Sequence, residues 1–184
     1  MTTERVILVD EQDRALGSAE KLSAHTEGRL HRAFSVFVFD RAGRVLLQRR
    51  ARTKYHSGGL WSNTACGHPR PEETTADAAR RRLGEEMGFR CELTEAFGFV
   101  YRAELDNGLV EYEYDHVLIG VFDGDPAPDP SEVEDWRRVS LAQLRRELRE
   151  RPLEFTYWLR QALGLGEWRH LEASLPTPPE ESAA

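Results

Sequence analysis

Cysteine and long apolar runs are the two features that the sequence most lacks. The chain has 2 cysteines, Cys66 and Cys91, and neither belongs to a Cys-x-x-Cys pair, which excludes a disulfide framework and a four-thiolate zinc site. No stretch approaches the roughly 18 apolar residues of a transmembrane helix, and the N-terminal MTTERVILVD lacks the basic and apolar regions of a signal peptide. We therefore expect a cytoplasmic protein with reduced thiols and no membrane partner.

The sequence is also short of basic charge, with 25 lysines and arginines against 32 aspartates and glutamates and a net charge of -7. This balance argues against a nucleic-acid partner, because nonspecific binding to a phosphate backbone requires a basic surface. The local exception is a cationic run formed by Arg44, Arg49, Arg50, Arg52 and Lys54. By itself the run indicates either a solvated strand end or a site that captures an anion.

The 184 residues and the hydrophobic fraction of 40% suffice for one core, so we expect a single domain over residues 1–171. The tail at 172–184 is rich in Pro, Glu and Ala and is expected to be disordered. A long loop is predicted at 51–65, and strands at Val6–Val9, Ala33–Phe39, Arg44–Arg49, Leu93–Tyr101, Val110–Phe122 and Trp136–Val139. Helices are predicted at Thr75–Met87, from a cap at Ser140 to Glu150, and at Glu154–Leu163.

The segment Cys66–Phe89 combines a turn, a capped helix and a cluster of charges. Thr74 has the spacing of a capping box, and Gly88 is placed to end the helix in a left-handed conformation. Arg82 and Glu86 lie four residues apart on one helix face. Taken alone, the charges indicate a solvated helix with ordinary ion pairs.

The positions within this segment resemble the Nudix box, the loop-helix-loop that holds a metal-bound diphosphate. The resemblance is carried by Gly67, Glu73, Arg81, Leu83, Glu85, Glu86, Gly88 and Phe89. It implies an α/β (α+β) Nudix fold, in which a mixed β-sheet is sandwiched between helices. One position departs, because Arg82 stands where the family has a Glu that helps to bind the metals that activate water. A cation there removes a hard-metal ligand, so we expect the box to hold a diphosphate without cleaving it.

Three histidines and two carboxylates are candidates for a metal site. His25 and His31 are expected on a bent loop that enters a strand, where both rings can converge, and His68 follows the long loop. Glu111 and Glu113 are two residues apart in a predicted strand, which places both carboxylates on one face. They could be surface residues of an antiparallel strand, but with the histidines they can complete a site for a divalent transition metal.

Beyond the box, the chain resembles the type I isopentenyl diphosphate isomerases, which are Nudix-fold enzymes, from about Glu4 to Leu163. The residues that carry the resemblance are HTEGRLHRAFS at 25–35, NTACGHP at 63–69, Tyr101, VEYE at 110–113 and Trp158. The resemblance implies an isomerase of isoprene biosynthesis that converts isopentenyl diphosphate to dimethylallyl diphosphate. The implied partner is a small-molecule diphosphate.

The resemblance also implies a role for each matching residue. Cys66 and Glu113 are implied to transfer protons on opposite faces of the substrate, with Tyr101 as a third catalytic residue. The implied ligands of one divalent metal (Mn²⁺, Zn²⁺ or Mg²⁺) are His25, His31, His68, Glu111 and Glu113. A Mg²⁺ that bridges to the diphosphate is implied to bind Glu86 and the Cys66 carbonyl. The residues implied to contact the substrate are Lys21, Arg50, Lys54 and Arg82, which neutralise the diphosphate, and Trp158, which shields the cation.

The chemistry independently requires two proton-transferring groups. Moving a double bond along a five-carbon chain adds a proton at one end and removes another two carbons away, through a tertiary carbocation. Water would quench this cation, so the pocket must be closed and dry. An aromatic ring such as that of Trp158 can stabilise a desolvated cation by about 2 kcal/mol.

Two other functions fit parts of the pattern. A Nudix pyrophosphohydrolase is supported by the same box and opposed by Arg82, and a noncatalytic diphosphate-binding module needs neither a thiol nor three histidines. The sequence leaves open which of Cys66 and Glu113 gives the first proton, because a metal-bound carboxylate should have a lowered pKa. It also leaves open the metal at the histidine site, the oligomeric state and the isoprenoid pathway served.

Overall fold

The computed structural model describes residues 4–105, 108–172 and 175, and these residues form one mixed sheet with helices on both sides. The strands are β1 Arg5–Val9, β2 Ala15–Glu20, β3 His31–Phe39, β4 Arg44–Arg50, β5 Trp61–Ser62, β6 Ala65–Gly67, β7 Leu93–Glu104, β8 Val110–Val121 and β9 Val133–Ser140. The helices are α1 Lys21–Glu27, α2 Thr75–Met87, α3 Leu141–Glu150, α4 Tyr157–Gly164 and α5 Gly166–Glu172, with a 3-10 turn at Pro152–Glu154. Within the described ranges, no helix is both long and apolar enough to cross a membrane.

Strand β3 is the centre of the sheet. It pairs in parallel with β8 and antiparallel with β1, β4 and β6. Strand β2 extends the sheet beyond β1, β7 extends it beyond β8, and β5 and β9 both pair with β4. The register places both His31 and Tyr101 beside Glu113, and it pairs Ser35 with Cys66. Because directly paired residues share one face of a sheet, this register brings predicted site residues together.

The residues of β3 alternate between two hydrophobic cores, as the period of two in a strand requires. Phe34, Val36 and Val38 pack in the core that lies under α2. Phe37 and Phe39 pack in the opposite core, together with apolar residues of α3, α4 and α5. Helices therefore cover both faces of the mixed sheet, which confirms the predicted sandwich.

Helix α2 has the predicted bounds because its ends are fixed by local sequence. The Asp77 backbone N–H donates a hydrogen bond of 3.1 Å to Thr74 Oγ1, which caps the first turn. Gly88 follows the last helical residue with φ of 73°, in the left-handed region that glycine adopts without strain. Ala79 and Leu83 are fully buried and anchor the helix on the sheet.

The prediction of a bent loop for the N-terminal histidines is wrong. His25 lies on α1, and His31 is the first residue of β3. Helix α1 has 7 residues, and the side chain of its N-cap residue, Glu20, makes no capping hydrogen bond. Its sequence therefore carries little helix signal. Gly28 ends it with φ of 62°, and the chain then turns into β3.

Several other boundaries also differ from the predictions. The expected loop at 51–65 contains β5 and the first residue of β6, and the short strand predicted at 136–139 is the longer β9. The helix predicted at 154–163 is the 3-10 turn followed by α4, and α5 lies beyond it. Glu172, expected as the first tail residue, ends α5 and pairs with Arg145 at 2.8 Å. Apart from Glu172 and Leu175, the predicted tail lies outside the described residues.

Candidate active site

A cavity of about 240 Å³ lies where the central strands meet α2 and α4. It is lined by Glu4, Lys21, Phe34, Ser35, Arg50, Lys54, Tyr55, His56, Cys66, Gly67, His68, Arg82, Glu86, Tyr101, Glu111, Glu113, Glu132 and Trp158. All residues predicted for catalysis and for substrate binding line it. The lining does not include His25 and His31, which are fully buried behind Glu113.

The two buried histidines present one ring nitrogen each to the inside of the site. His25 Nδ1 donates to the Lys21 carbonyl at 2.7 Å, and His31 Nδ1 donates to the Arg29 carbonyl at 2.8 Å. A carbonyl can only accept, so Nδ1 of each ring carries a proton, and in the neutral ring the lone pair is on Nε2. Both Nε2 atoms are buried, and neither finds a hydrogen-bond partner among the described residues.

Glu113 is the carboxylate that these nitrogens face. Its Oε1 lies 2.9 Å from His68 Nε2, 3.4 Å from His31 Nε2 and 4.0 Å from His25 Nε2. The ligand atoms of these four residues all lie within 4.8 Å of one another. Two partnerless imidazole nitrogens beside a carboxylate are a donor set that suits a divalent metal, so the residues fit the expected centre.

Glu111 lies on the other side of Tyr101 and joins a second group. Its ligand oxygen is within 4.8 Å of ligand atoms of His25 and His56, and His56 Nε2 is 3.7 Å from Glu111 Oε1. The predicted five-residue metal set therefore divides, with Glu113 in the first group and Glu111 in the second. His25 is common to both groups.

The two carboxyl groups have opposite pKa shifts. Although burial alone would raise it, the imidazoles of His31 and His68, which donate to the carboxylate when Nε2 is protonated, hold the pKa of Glu113 well below its usual range. Burial, together with the charge of Glu113, raises the pKa of Glu111 well above its usual range. Tyr101 connects them, because its hydroxyl donates to Glu113 Oε2 at 2.6 Å and lies 3.2 Å from Glu111 Oε2.

The Cys66 thiol lines the same cavity as Glu113. Burial raises the pKa of Cys66 to about 12, although the guanidinium of Arg50 opposes the shift. Arg50 Nη1 lies 3.7 Å from the sulfur and donates to it. At neutral pH the thiol is therefore protonated and the Glu113 carboxyl is ionised, so the pair holds one proton.

The cavity also carries a cluster of cations that are paired with carboxylates. Arg82 Nη2 lies 2.9 Å from the Glu132 carboxylate, and Lys54 forms an ion pair with the same carboxylate. Although Glu132 is partly buried, which raises its pKa, these two cations lower it overall. Lys21 is paired with Glu4 at 3.1 Å. The cavity therefore offers several cations, and carboxylates balance them in the structure.

Glu86 reaches this cluster of cations from α2 and is 3% exposed. Arg82 Nη2 lies 2.8 Å from Glu86 Oε1, and Gln48 donates to the other carboxylate oxygen at 2.6 Å. Burial raises the pKa of Glu86, and Arg82 and Gln48 oppose that shift. An ionisable oxygen ligand thus lies beside the cations, as a bridging Mg²⁺ requires.

Trp158 forms an aromatic wall that is held in place by polar contacts. Its indole N–H is 3.0 Å from both Ser62 Oγ and Asn63 Oδ1, and the residue is 3% exposed. The Arg50 guanidinium lies 5.2 Å from the centre of the indole ring. The ring is thus oriented toward the cavity by buried hydrogen bonds.

Sequence reasoning missed several residues of the cavity: Glu4, Ser35, Tyr55, His56 and Glu132. The length of the 51–65 loop was a signal that it contains functional residues, and His56 lies in that loop. No pattern in the sequence singled out Glu132, which follows a Pro and Asp-rich connection.

Comparisons with known proteins agree with this geometry. The NUDIX domain profile matches residues 29–159, which is more than half of the chain. Isopentenyl-diphosphate Delta-isomerase 1 of Aromatoleum aromaticum is 60% identical over 156 residues, covering 85% of this chain and 88% of that protein. Isopentenyl-diphosphate Delta-isomerase of Serratia proteamaculans is 48% identical, and the alignment covers 93% of this chain and 99% of that protein.

Solved structures show the same fold at low sequence identity. The MutT protein from Methanosarcina mazei Go1 superimposes with a TM-score of 0.64 at 17% identity, over 77% of this chain and 95% of that chain. The NUDIX domain of Shewanella oneidensis NrtR, complexed with ADP ribose, gives a TM-score of 0.58 at 14% identity, over 77% of this chain and 86% of that chain. At these identities the similarity concerns the fold alone.

Proposed function

Because this chain belongs to the NUDIX domain family and, within it, to the isopentenyl-diphosphate Delta-isomerases, we propose that it converts isopentenyl diphosphate to dimethylallyl diphosphate in the cavity described above. The enzyme is an isomerase that moves a carbon-carbon double bond by a 1,3-allylic rearrangement. A proton is added at one carbon and another is removed two carbons away. The observation that carries the assignment of this cavity is that Cys66 and Glu113 line it together with the cations Lys21, Arg50, Lys54 and Arg82.

Cys66 and Glu113 are the proposed proton-transferring pair. One proton on the pair is what each turnover needs, since the protonated member supplies a proton at one end of the allylic system and the ionised member takes one at the other. The opposite pKa shifts of the two groups keep this one proton on Cys66 in the metal-free protein. Tyr101 holds the Glu113 carboxylate in position through its 2.6 Å hydrogen bond. Trp158 shields the tertiary carbocation from water.

The diphosphate is proposed to bind to the cations that line the cavity. Lys21, Arg50, Lys54 and Arg82 supply positive charge there, and binding energy from this remote group holds the reacting carbons in register. The carboxylates of Glu4 and Glu132 occupy these cations in the structure, so they exchange partners when a diphosphate enters. Glu86 and the Cys66 carbonyl are the proposed ligands of a Mg²⁺ that neutralises the diphosphate oxygens.

The histidine site is proposed to hold a second divalent cation, Mn²⁺, Zn²⁺ or Mg²⁺. Its proposed ligands are His25, His31, His68, Glu111 and Glu113. A bound cation would fix the Glu113 carboxylate and stabilise its ionised form. The partnerless Nε2 atoms of His25 and His31 support this proposal.

Proton NMR of the purified protein with isopentenyl diphosphate and Mg²⁺ tests the activity. We expect methyl signals of dimethylallyl diphosphate to appear. Cys66→Ala and Glu113→Gln should each abolish turnover without changing the circular dichroism spectrum. Cys91→Ala is the matched control, because this second thiol lies outside the cavity, and it should keep normal turnover. Near-normal kcat in either cavity variant would show that the role assigned to that residue is wrong.

A pyrophosphohydrolase would release phosphate in place of forming dimethylallyl diphosphate. Arg82 opposes this alternative, because it places a guanidinium where Nudix hydrolases carry a carboxylate, and it pairs with Glu86 at 2.8 Å. Incubation with nucleoside diphosphate derivatives should release no phosphate. Phosphate release without any methyl signal would show that the protein is a hydrolase and not an isomerase.

A further inference from the structure

We propose that His56 is a further ligand of the metal centre, binding on the side of Glu111. This inference rests on the metal site of the proposed function and adds a fourth imidazole to it. The observation that supports this proposal is the second group of ligand atoms, from His25, His56 and Glu111, which lie within 4.8 Å of one another.

The ring of His56 is held so that one nitrogen faces the interior. Its Nδ1 lies 3.3 Å from Ser57 Oγ, on the side of the loop. Its ring packs edge-on against Tyr55 and Trp158, with centroid distances of 4.4 and 6.0 Å. The Arg50 guanidinium donates to the His56 carbonyl at 3.4 Å. These contacts leave Nε2 directed at Glu111, in a residue that is only 9% exposed.

The separation of the two ligand atoms matches a shared ion better than a direct hydrogen bond. His56 Nε2 and Glu111 Oε1 are 3.7 Å apart, which is beyond the usual length of a hydrogen bond. Two atoms bound about 2.1 Å from one ion lie roughly 3.0 to 4.2 Å apart at octahedral angles. His31 Nε2 and Glu113 Oε1, in the first group, have the similar separation of 3.4 Å.

His25 connects the two groups to one centre. Its Nε2 is fully buried and has no hydrogen-bond partner within the described chain, and it belongs to both groups. One imidazole nitrogen binds one metal ion, so an ion bound by His25 Nε2 can draw its other ligands from both groups. The complete donor set is His25, His31, His56, His68, Glu111 and Glu113. Six donors suit octahedral coordination, and four imidazoles favour a transition metal over Mg²⁺.

Metal titration of the apoprotein tests the inference without measuring turnover. Zn²⁺ and Co²⁺ are the probes, and His56→Gln is compared with wild type and with His116→Gln. His116 is a good control because it is similarly shielded, at 8% exposed, and its nitrogens contact Asp13 and Glu95 away from the cavity. We expect Zn²⁺ to bind His56→Gln roughly tenfold or more weakly than wild type, and the visible spectrum of the Co²⁺ form to change. The control should match wild type in both measurements.

Equal Zn²⁺ affinity and equal Co²⁺ spectra in His56→Gln and wild type would overturn the inference and leave the proposed isomerase intact. If the wild-type protein binds neither ion, the proposal of a metal site at the histidines is wrong. If His56→Gln does not fold, a crystal structure of the Zn²⁺-loaded wild-type protein decides the matter. We expect His56 Nε2 at about 2.0–2.1 Å from the metal. A metal bound by the other imidazoles with His56 turned away would refute the inference.

Discussion

Replacement of Tyr101 by Phe removes one hydroxyl from the centre of the site and leaves its ring. That hydroxyl donates the 2.6 Å hydrogen bond to Glu113 and lies 3.2 Å from Glu111, in a residue that is 6% exposed. A hydrogen bond to a charged group contributes about 1.5–3 kcal/mol. Its loss should raise the pKa of Glu113 by about 1 to 2 units, since one unit corresponds to about 1.4 kcal/mol.

The same free energy sets the expected change in rate. In the proposed mechanism Tyr101 orients the Glu113 carboxylate for proton transfer, and loss of this interaction from the transition state should lower kcat by about 10- to 150-fold. KM should change little, because the proposed diphosphate contacts are made by the cations and not by Tyr101. The limb of the pH-rate profile that reports Glu113 should move to higher pH by the same 1 to 2 units.

Initial rates of dimethylallyl diphosphate formation, from pH 9 down to the lowest pH at which the protein stays folded, would measure both effects. Tyr112→Phe is the matched control, since Tyr112 neighbours Glu113 on β8 but faces the other side of the strand. It should behave as wild type. A kcat for Tyr101→Phe within roughly twofold of wild type, with an unmoved pH profile, would refute the assigned role of this hydroxyl.

Three further predictions concern stability. Gly88→Ala should lower the free energy of unfolding by several kcal/mol in urea titrations, because φ is 73° and a Cβ would overlap a neighbouring carbonyl oxygen. Gly164→Ala is the control, since a Cβ there would meet nothing within 4 Å, and it should be tolerated. Thr74→Ala should lower it by about 1 kcal/mol, seen as a lower Tm, through loss of the α2 cap. The metal-free protein should lose stability as pH falls below about 6.5, because burial lowers the pKa of His56 to about 3 and of His68 to about 4. The unfolded chain then binds protons that the folded protein does not, at up to about 1.4 kcal/mol per pH unit for each ring, and an unchanged urea midpoint between pH 7 and 5 would contradict this.

The predictable parts of the fold are those with local signals. Helix α2 has a capping residue, a buried stripe and a terminal glycine within one short segment, so its bounds followed from sequence. Helix α1 has 7 residues and no side-chain cap, and it is held by tertiary packing, including buried Ala24 and His25. A loop was therefore the wrong prediction for His25, although its convergence with His31 was expected.

The residues of the candidate site also fall into those that local sequence predicts and those that it does not. Residues inside a recognisable motif could be named beforehand, but Glu132 is brought to Lys54 by the pairing of β4 with β9, which sets Arg50 opposite Val133. This long-range register leaves no trace in the sequence around Glu132. His56 is likewise directed at Glu111 by the packing of its loop against Trp158. Contacts made across the sheet are what the linear pattern could not supply.

Proton NMR in D₂O with isopentenyl diphosphate and Mg²⁺ tests the central claim most directly, because it follows the substrate carbons and the solvent protons together. Transfer through Cys66 and Glu113 predicts dimethylallyl methyl signals with deuterium incorporated from solvent, intact diphosphate, and no such signals for Cys66→Ala or Glu113→Gln. Unchanged isopentenyl diphosphate with wild-type protein, or release of phosphate in place of the methyl signals, would contradict the account.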